Sequence, residues 1–248
     1  MTRTFLLGSY VDSLTMQETV DQVENIIQIG KPVQHVVINA SKINLMAENK
    51  ELANIVNTSP LINADGQSIV WAMKFLGHEA RERVTGIDLF ENLVKLSNEK
   101  GYRVYYFGAK EEVVHEVVQL HQKKYPNLQV AGYRNGYFED ADSEEIARDI
   151  QKSKADIVFV AFSSPKKEQW IHAYKEMMNV PFVMGVGGSF DVIAGVTKRA
   201  PRWMQKTGLE WFYRFMQEPR RMFKRYFVGN LSFMWKVIKE RWRTQDVG

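Results

Sequence analysis

The feature that most constrains this chain of 248 residues is a regular alternation of short apolar runs and longer amphipathic segments. Between residues 102 and 195, apolar runs at 102–107, 128–131, 157–161 and 181–186 each precede a segment with glycine turns or helical spacing. Strands that alternate with helices of about 10–15 residues indicate βαβ units and a mainly parallel sheet. The predicted fold class is therefore α/β, with a mainly parallel, Rossmann-like sheet flanked by helices.

The first half of the chain predicts the same alternation with less regular spacing. A first strand is predicted at residues 4–8, and a helix from Met16 to Ile29 with Thr15 as its N-cap. A second strand covers residues 35–38, and the apolar positions after it predict a helix that reaches Val56.

The charge distribution divides the chain near residue 196. Residues 1–195 contain 20 Lys and Arg against 25 Asp and Glu, whereas residues 196–248 contain 13 against 4. Ten of the 39 residues from Glu210 onward are aromatic. The predicted domains are an α/β catalytic domain at 1–195 and a basic, aromatic, helical appendage at 196–248 that lies on a membrane surface. The alternative is a docked pair of C-terminal helices whose aromatic residues belong to the core.

Composition excludes several classes of protein. The chain has no cysteine, which excludes disulfide scaffolds and Cys-ligated zinc. Its apolar runs are too short for a signal-peptide core or a membrane span, which predicts a protein that stays in the cytoplasm. The NAD fingerprint and the P-loop pattern are both missing, so hydride transfer and NTP hydrolysis lack their signatures.

Asp65 is the strongest candidate for a catalytic group. It follows the apolar residues 61–64 directly, at the carboxyl end of a predicted strand, where ligands bind in open α/β sheets. Asn39 follows the preceding strand in the same way, so adjacent parallel strands would bring the two side chains together. Taken alone, Asp65 could instead be the N-cap of a helix that begins near Gly66. Three residues of the next loop are predicted to close the same cleft: Arg83, Thr85 and Asp88.

Two glycine junctions are candidates for binding phosphate. Gly108 and the pair Gly187 and Gly188 each stand between a strand and a helix, where backbone N–H groups can approach an anion. The alternative is that a tight turn simply requires glycine. Lys166 lies near a helix start, which is unfavourable for a cation, and a bound diphosphate would resolve that conflict. The alternative is that Lys166 and Lys167 are simply two solvated lysines with no ligand.

No metal site is predicted. Asp140 and Asp142 match the Asp-x-Asp pair that holds metal–nucleotide complexes, but they lie in an acidic loop in which Asp142 or Ser143 would cap the next helix. His115 and His121 fall on different faces of one helix. No cofactor and no nucleic acid are predicted as partners.

Several motifs together resemble the WecG/TagA/CpsF family of bacterial glycosyltransferases (glycosyltransferase family 26). They occur in the family's order over nearly the whole chain. The matching segments are residues 62–66, 83–89, 107–109, 132–138, 165–168, 185–191, 199–201 and 208–211.

The resemblance implies an inverting transfer of a sugar from a UDP-sugar to a saccharide linked to undecaprenyl diphosphate, without a bound metal. It implies that Asp65 is the general base and that a basic C-terminal segment, with Arg214 and Arg221, binds the membrane and completes the site. The enzyme would be peripheral on the inner face of the bacterial cell membrane, and a homo-oligomer is compatible with the sequence. Further substrate-binding residues implied by the match are Asn39, Asn63, Gly66, Arg83, Thr85, Asp88, Gly108, Tyr137, Lys166, Lys167, Glu168, Gly187, Gly188 and Asp191.

The chain departs from the family pattern at positions expected to line the sugar site. Val37 replaces a common threonine, Ser41 an acid and Lys167 a glutamine. The donor sugar is therefore predicted to be N-acetylmannosamine, or a sugar of the glucose or uronic-acid type. Two alternatives remain at this point, a nucleotide-dependent oxidoreductase or epimerase and a non-catalytic basic module that binds membrane or nucleic acid.

Overall fold

A computed structural model describes residues 2–217, 219, 223 and 229–245 of the chain. A β-hairpin comes first, formed by β1 (Thr2–Leu6) and β2 (Ser9–Ser13). The first strand predicted at residues 4–8 is confirmed at residues 4–6, but it ends at Leu6, and the second strand of the hairpin was not predicted. Leu7 and Gly8 both adopt positive φ angles, of 50° and 87°, and reverse the chain.

The remaining strands form one parallel sheet. They are β3 (Val33–Ile38), β4 (Leu61–Ala64), β5 (Arg103–Gly108), β6 (Gln129–Arg134), β7 (Ile157–Ala161) and β8 (Phe182–Gly185), in the spatial order β4-β3-β8-β7-β5-β6. Helices flank the sheet: α1 (Met16–Ile29), α2 (Ala40–Glu48), α3 (Lys50–Asn57), α4 (Gln67–Phe75), α5 (Gly86–Lys100), α6 (Glu111–Lys124), α7 (Ser143–Ser153), α8 (Lys166–Met178) and α9 (Ser189–Ile193). The predicted fold class is confirmed.

Local sequence signals determine some helix ends and not others. Thr15 caps α1, as predicted, and the structure adds a capping box with Glu18. The single helix predicted to reach Val56 is wrong, because the chain bends at Asn49. The Asn49 side chain accepts a hydrogen bond from the Leu52 N–H, so this residue ends α2 and caps α3.

The core lies on both faces of the sheet. One side holds a cluster of aromatic rings in which Phe90 of α5 packs edge-to-face on Phe159 of β7, with ring centroids 4.4 Å apart. On the other side, α7 and α8 cover β5 and β7, with Trp170 against Phe107 at 4.9 Å. Strands buried on both faces explain why their sequences are almost continuously apolar.

The described part of the C-terminal region forms three helices that contact the α/β unit. They are α10 (Arg202–Lys206), α11 (Glu210–Gln217) and α12 (Gly229–Gln245). Phe233 and Val237 of α12 are buried in the cluster that contains α2 and α4. The Asn44 amide of α2 donates to the Gly229 carbonyl at 2.7 Å and accepts from Lys236 at 2.8 Å. The domain boundary at residue 196 remains a prediction.

Candidate active site

The carboxyl ends of three adjacent strands converge where Asp65 lies. Asp65 follows β4, Asn39 follows β3, and the turn with Gly187 follows β8. The Asp65 N–H donates to the Ile38 carbonyl at 2.9 Å, so the pairing of β3 with β4 continues to the edge of the sheet. Asn39 Nδ2 donates to Asp65 Oδ2 at 3.4 Å, which brings the two predicted side chains into direct contact.

The Asp65 carboxylate faces the N-terminus of α5. Its Oδ1 accepts the Gly86 N–H at 3.0 Å, because the loop before α5 runs beside β4 and its Val84 N–H donates to the Ala64 carbonyl. The predicted cap at the start of α4 is therefore wrong, since Gly66 occupies that position without a side-chain bond. A helix N-terminus is a favourable place for a negative charge. Within the described residues, no Lys or Arg forms an ion pair with Asp65.

Asn39 links the base candidate to the start of α2. Its Oδ1 accepts the Lys42 N–H at 3.0 Å and so caps α2, which leaves the amide nitrogen directed at Asp65. A Cβ atom at Gly66 would lie 3.2 Å from the Asn39 Cβ. Glycine at position 66 therefore keeps Asn39 in place beside the carboxylate.

A buried charge cluster lies behind these residues. Lys42 Nζ donates to Glu168 Oε1 at 2.6 Å, and both side chains are at least 95% buried. The Ser164 hydroxyl donates to the same oxygen at 3.0 Å, and Lys167 Nζ lies 3.6 Å from it. Burial alone would raise the pKa of Glu168, but Lys42 and Lys167 lower it below its usual range. Sequence reasoning found Lys167 and Glu168 but missed Lys42, whose only signal was a lysine directly before the buried Ile43.

Lys167 is the cation of this cluster that faces the glycine turn. A Cβ atom on Gly185 would lie 2.9 Å from the Lys167 Cδ, and one on Gly187 would lie 3.5 Å from its Nζ. Gly187 has a φ of +56°, which a side chain would make unfavourable. Burial, followed by repulsion from Lys42, lowers the pKa of Lys167 to about 8, while the Glu168 and Asp65 carboxylates partly oppose that fall.

The pKa of Lys167 predicts a stability effect at alkaline pH. Between pH 8 and 10.5 the unfolded chain holds more protons on this amine than the folded chain, so its contribution makes the protein more stable as pH rises. We expect the free energy of unfolding of the wild type, relative to that of Lys167→Gln, to rise by on the order of 3 kcal/mol across this window. Urea unfolding at several pH values measures it. Lys152→Gln, at an exposed position of α7, is the control, and equal pH profiles for wild type and Lys167→Gln would contradict the assignment.

Arg83 and Asp88 bind the C-terminal segment, whereas Thr85 bonds to Asp88 and caps α5. Both Asp88 oxygens accept from Arg199, at 2.7 and 2.9 Å, and the Thr85 hydroxyl donates to Asp88 at 2.5 Å. Burial alone would raise the pKa of Asp88, but the bonds from Arg199 and Thr85 hold it below its usual range. Arg83 donates to the Gln205 carbonyl at 3.1 Å. Arg83 and Asp88 thereby hold residues 199–210 beside the cleft, and the closing of the cleft by these three residues stays a prediction.

Glu210 extends this charge network. Its carboxylate lies 3.6 Å from Arg199 Nε and 3.9 Å from Arg83 Nη1. Sequence reasoning quoted Arg199 and Glu210 as family motifs without assigning them a role. Arg199 is 111 residues from Asp88, and Glu210 is 127 residues from Arg83, so no local pattern could have identified these two contacts.

Asn63 lies in the core and not at the edge of the sheet. It is completely buried, its amide donates to the Thr19 hydroxyl at 3.1 Å, and its Oδ1 lies 2.9 Å from His35 Nε2. Burial lowers the pKa of His35 to about 4, so the ring is neutral and Nε2 is the donor in that bond. The expected substrate contact of Asn63 is therefore replaced by a structural role.

The other predicted glycine junction, at Gly108, lies in the half of the sheet edge that is far from Asp65. Gly108 ends β5, four strand spacings or roughly 19 Å from β4. Its φ is +126°, and a Cβ atom there would lie 2.8 Å from the Ala161 backbone, so only glycine fits. Tyr137 on the following loop is 70% exposed. Lys166 Nζ lies 4.6 Å from the centroid of the Phe138 ring, a cation–π contact that offers a reason for its position besides a diphosphate.

Of the remaining predicted residues, Gly188 and Asp191 lie at the start of α9, and the side chains of the two arginines of the C-terminal segment are not described. Gly188 precedes α9, and a Cβ atom there would lie 3.8 Å from Asp191 Oδ2, so the two stand together beside the glycine turn. The Arg214 side chain and the whole of Arg221 lie outside the described residues.

The acidic segment with Asp140 and Asp142 forms an exposed turn. Asp142 occupies the N-cap position of α7, as predicted, but its carboxylate accepts the Glu139 N–H at 3.0 Å and makes no side-chain bond to α7. Across residues 2–217, 219, 223 and 229–245, no group of three or more acidic, histidine or cysteine residues has the arrangement of a metal site.

Comparison with known proteins gives a consistent result. The model of the "Glycosyl transferase WecG/TagA/CpsF family" matches residues 4–247. The chain is 36% identical over 174 residues, 70% of its length and 67% of the relative's, to the N-acetylglucosaminyldiphosphoundecaprenol N-acetyl-beta-D-mannosaminyltransferase of Bacillus subtilis (strain 168). It is 30% identical over 242 residues, 95% of its length and 92% of the relative's, to the protein of the same name from Staphylococcus aureus (strain MW2).

Proposed function

Because the chain belongs to the WecG/TagA/CpsF family of glycosyltransferases, we propose that it transfers a sugar, with inversion, from a UDP-sugar to an undecaprenyl-diphosphate-linked saccharide. The donor sugar is N-acetylmannosamine, or one of the glucose or uronic-acid type. The names of the relatives support this class of acceptor and this first donor. The product would enter the synthesis of teichoic acid or another cell-surface polysaccharide.

The observation that carries the proposal is the Asp65 carboxylate at the sheet edge. Its Oδ1 accepts the Gly86 N–H, and among the described residues its Oδ2 makes only a long contact with Asn39, so Oδ2 retains capacity to accept a further proton donor. In the proposed reaction, Asp65 takes the proton of the acceptor hydroxyl as that oxygen attacks the anomeric carbon. The bond between the anomeric carbon and UDP breaks, and UDP leaves from the opposite side.

The departing diphosphate requires positive charge and N–H donors. Lys167 supplies a buried ammonium next to Gly187, and the Gly187 and Gly188 turn supplies exposed backbone. Preorganised donors in a site of low dielectric stabilise developing negative charge much more strongly than water does. Lys166 and, from the C-terminal segment, Arg214 and Arg221 are proposed as further cations for UDP or for the acceptor's diphosphate. No cofactor takes part in this proposal.

The lipid-linked acceptor places the enzyme at a membrane surface. We propose a peripheral location on the cytoplasmic face, with the basic, aromatic C-terminal segment in contact with anionic lipid. None of the helices within the described residues is long and apolar enough to cross a bilayer. Membership in a glycosyltransferase family argues against the oxidoreductase and the non-catalytic alternatives.

Release of UDP tests the proposal. The purified protein is incubated with UDP-N-acetylmannosamine, UDP-glucose or UDP-glucuronate, with and without a lipid-diphosphate-linked N-acetylglucosamine. We expect UDP release from one of these donors that depends on the acceptor, together with a product heavier by one sugar in mass spectrometry. Release that is independent of the acceptor, or no release from any of the three donors, would contradict it.

A further inference from the structure

Helices α4 and α12 expose an unusual number of large apolar side chains. We call this surface the aromatic face, and each of its members is between 54 and 60% exposed. The members are Trp71 and Phe75 of α4 and Leu231, Met234, Trp235 and Trp242 of α12. Proteins that stay free in solution rarely expose large contiguous apolar patches, so a face with six such side chains marks an interaction site.

Helices α4 and α12 pack on one cluster, and one contact joins their exposed sides. Trp71 and Phe75 are four residues apart and so share one side of α4. Trp235 and Trp242 have ring centroids 6.2 Å apart on α12. The buried sides of both helices belong to one cluster, and the Arg241 guanidinium of α12 lies 5.8 Å from the Phe75 ring of α4.

Charge selects the partner of this face. The described α12 carries four basic residues, at positions 236, 239, 241 and 243, against one acid, Glu240, and α4 adds Lys74. Two copies of such a cationic face would repel each other, whereas an anionic bilayer attracts it. Tryptophan beside Lys and Arg is the composition of elements that lie in the headgroup region.

We propose that α4 is a membrane-docking helix of the catalytic domain, which inserts Trp71 and Phe75 into the headgroup boundary beside α12. The contact is thus made by the same unit that carries Asp65 and not by the C-terminal segment alone. This inference rests on the proposed function, because a lipid-linked acceptor is the reason for the docking.

Docking through α4 would fix the height of the catalytic carboxylate above the lipid. Helix α4 begins two residues after Asp65 and contains nine residues, so it is roughly 14 Å long. With Phe75 at the boundary, Asp65 stays within about this distance of the headgroups. A sugar joined by a diphosphate to a lipid projects into that same zone.

Point substitutions test this better than deletion, because removal of the C-terminal segment would also remove Arg199 and its bonds to Asp88. The full chain with Trp71→Ser and Phe75→Ser is compared with a control, Ile29→Ser and Tyr133→Ser. The control side chains are 59% and 40% exposed, and Tyr133 lies on β6, at the opposite edge of the sheet from β4. All four are surface positions, so both variants should fold, which circular dichroism checks.

The first readout is co-sedimentation with vesicles of phosphatidylglycerol and phosphatidylethanolamine. We expect the α4 variant to partition at least tenfold more weakly than wild type and the control variant to stay within twofold. Equal partitioning of all three proteins, or equal losses in the two variants, would overturn the proposal. A dimer in analytical ultracentrifugation that the α4 substitutions dissociate, with vesicle binding unchanged, would assign the face to a second copy and overturn it too.

The second readout separates docking from chemistry. With a short-chain, water-soluble acceptor we expect the α4 variant to keep wild-type turnover within twofold, and with an undecaprenyl acceptor in vesicles to lose most of it. Equal losses on both acceptors would overturn the proposal. Failure of wild type to use any acceptor would instead refute the proposed function, while the vesicle measurement would still report on α4.

Discussion

Replacement of Asp65 by asparagine is expected to lower kcat for sugar transfer by about 10²- to 10⁴-fold, the usual contribution of a general base. Asparagine has nearly the same shape, and its amide oxygen can still accept the Gly86 N–H. The amide cannot take the proton of the attacking hydroxyl. The loss should therefore appear in kcat, with little change in the KM for the donor.

The measurement is the initial rate of UDP release with donor and acceptor at saturation, together with a thermal melt. Asp142→Asn, in the exposed acidic turn, is the matched control and should keep full activity. Loss of the charge at the α5 N-terminus should cost no more than about 1 kcal/mol of stability. An Asp65→Asn variant with wild-type kcat would exclude Asp65 as the base.

Replacement of Glu168 by methionine is expected to lower the free energy of unfolding by about 3–5 kcal/mol. The change removes the carboxylate that Lys42 contacts at 2.6 Å and Lys167 approaches at 3.6 Å, and it leaves both amines buried without their partner. For a chain of this size the melting temperature should fall by roughly 6–20 °C. Breaking one side of a buried pair is costly because the remaining charge has lost its contact with water.

Two variants make the interpretation specific. In Glu144→Met the lost partner is Arg148, both side chains are more than 60% exposed, and the expected loss is below about 1 kcal/mol. In the double variant Lys42→Met and Glu168→Met both charges are gone, and we expect it to be more stable than Glu168→Met alone. Urea unfolding measures all three. A Glu168→Met variant as stable as Glu144→Met would show that the cluster is not a stabilising ion pair.

Fold class and many helix and strand positions were predictable because their causes are local. The Thr15 capping box, the apolar strands and the turns after them are features of a few consecutive residues. The two errors in the first half are local as well. Leu7 and Gly8, predicted as the end of the first strand, form the turn of a hairpin, and Asn49 can interrupt a helix without any proline or glycine.

The contacts within the candidate site were predictable only in part. Parallel pairing of β3 with β4 was enough to place Asn39 beside Asp65. This pairing does not indicate that the loop before α5 runs along β4 and turns the Asp65 carboxylate toward Gly86. The family resemblance implied a substrate contact for Asn63, whose amide is instead bonded to Thr19 inside the core.

Sequence patterns were sufficient to predict the α/β architecture, the membership in a glycosyltransferase family and the position of Asp65 at the end of a strand. Each of these depends on patterns within short stretches of chain. Tertiary structure alone decided which charges meet: Lys42 with Glu168 over 126 residues, and Asp88 with Arg199 over 111. The physical reason is that a buried charge is stable only beside an opposite charge, and three-dimensional packing decides which residues become neighbours.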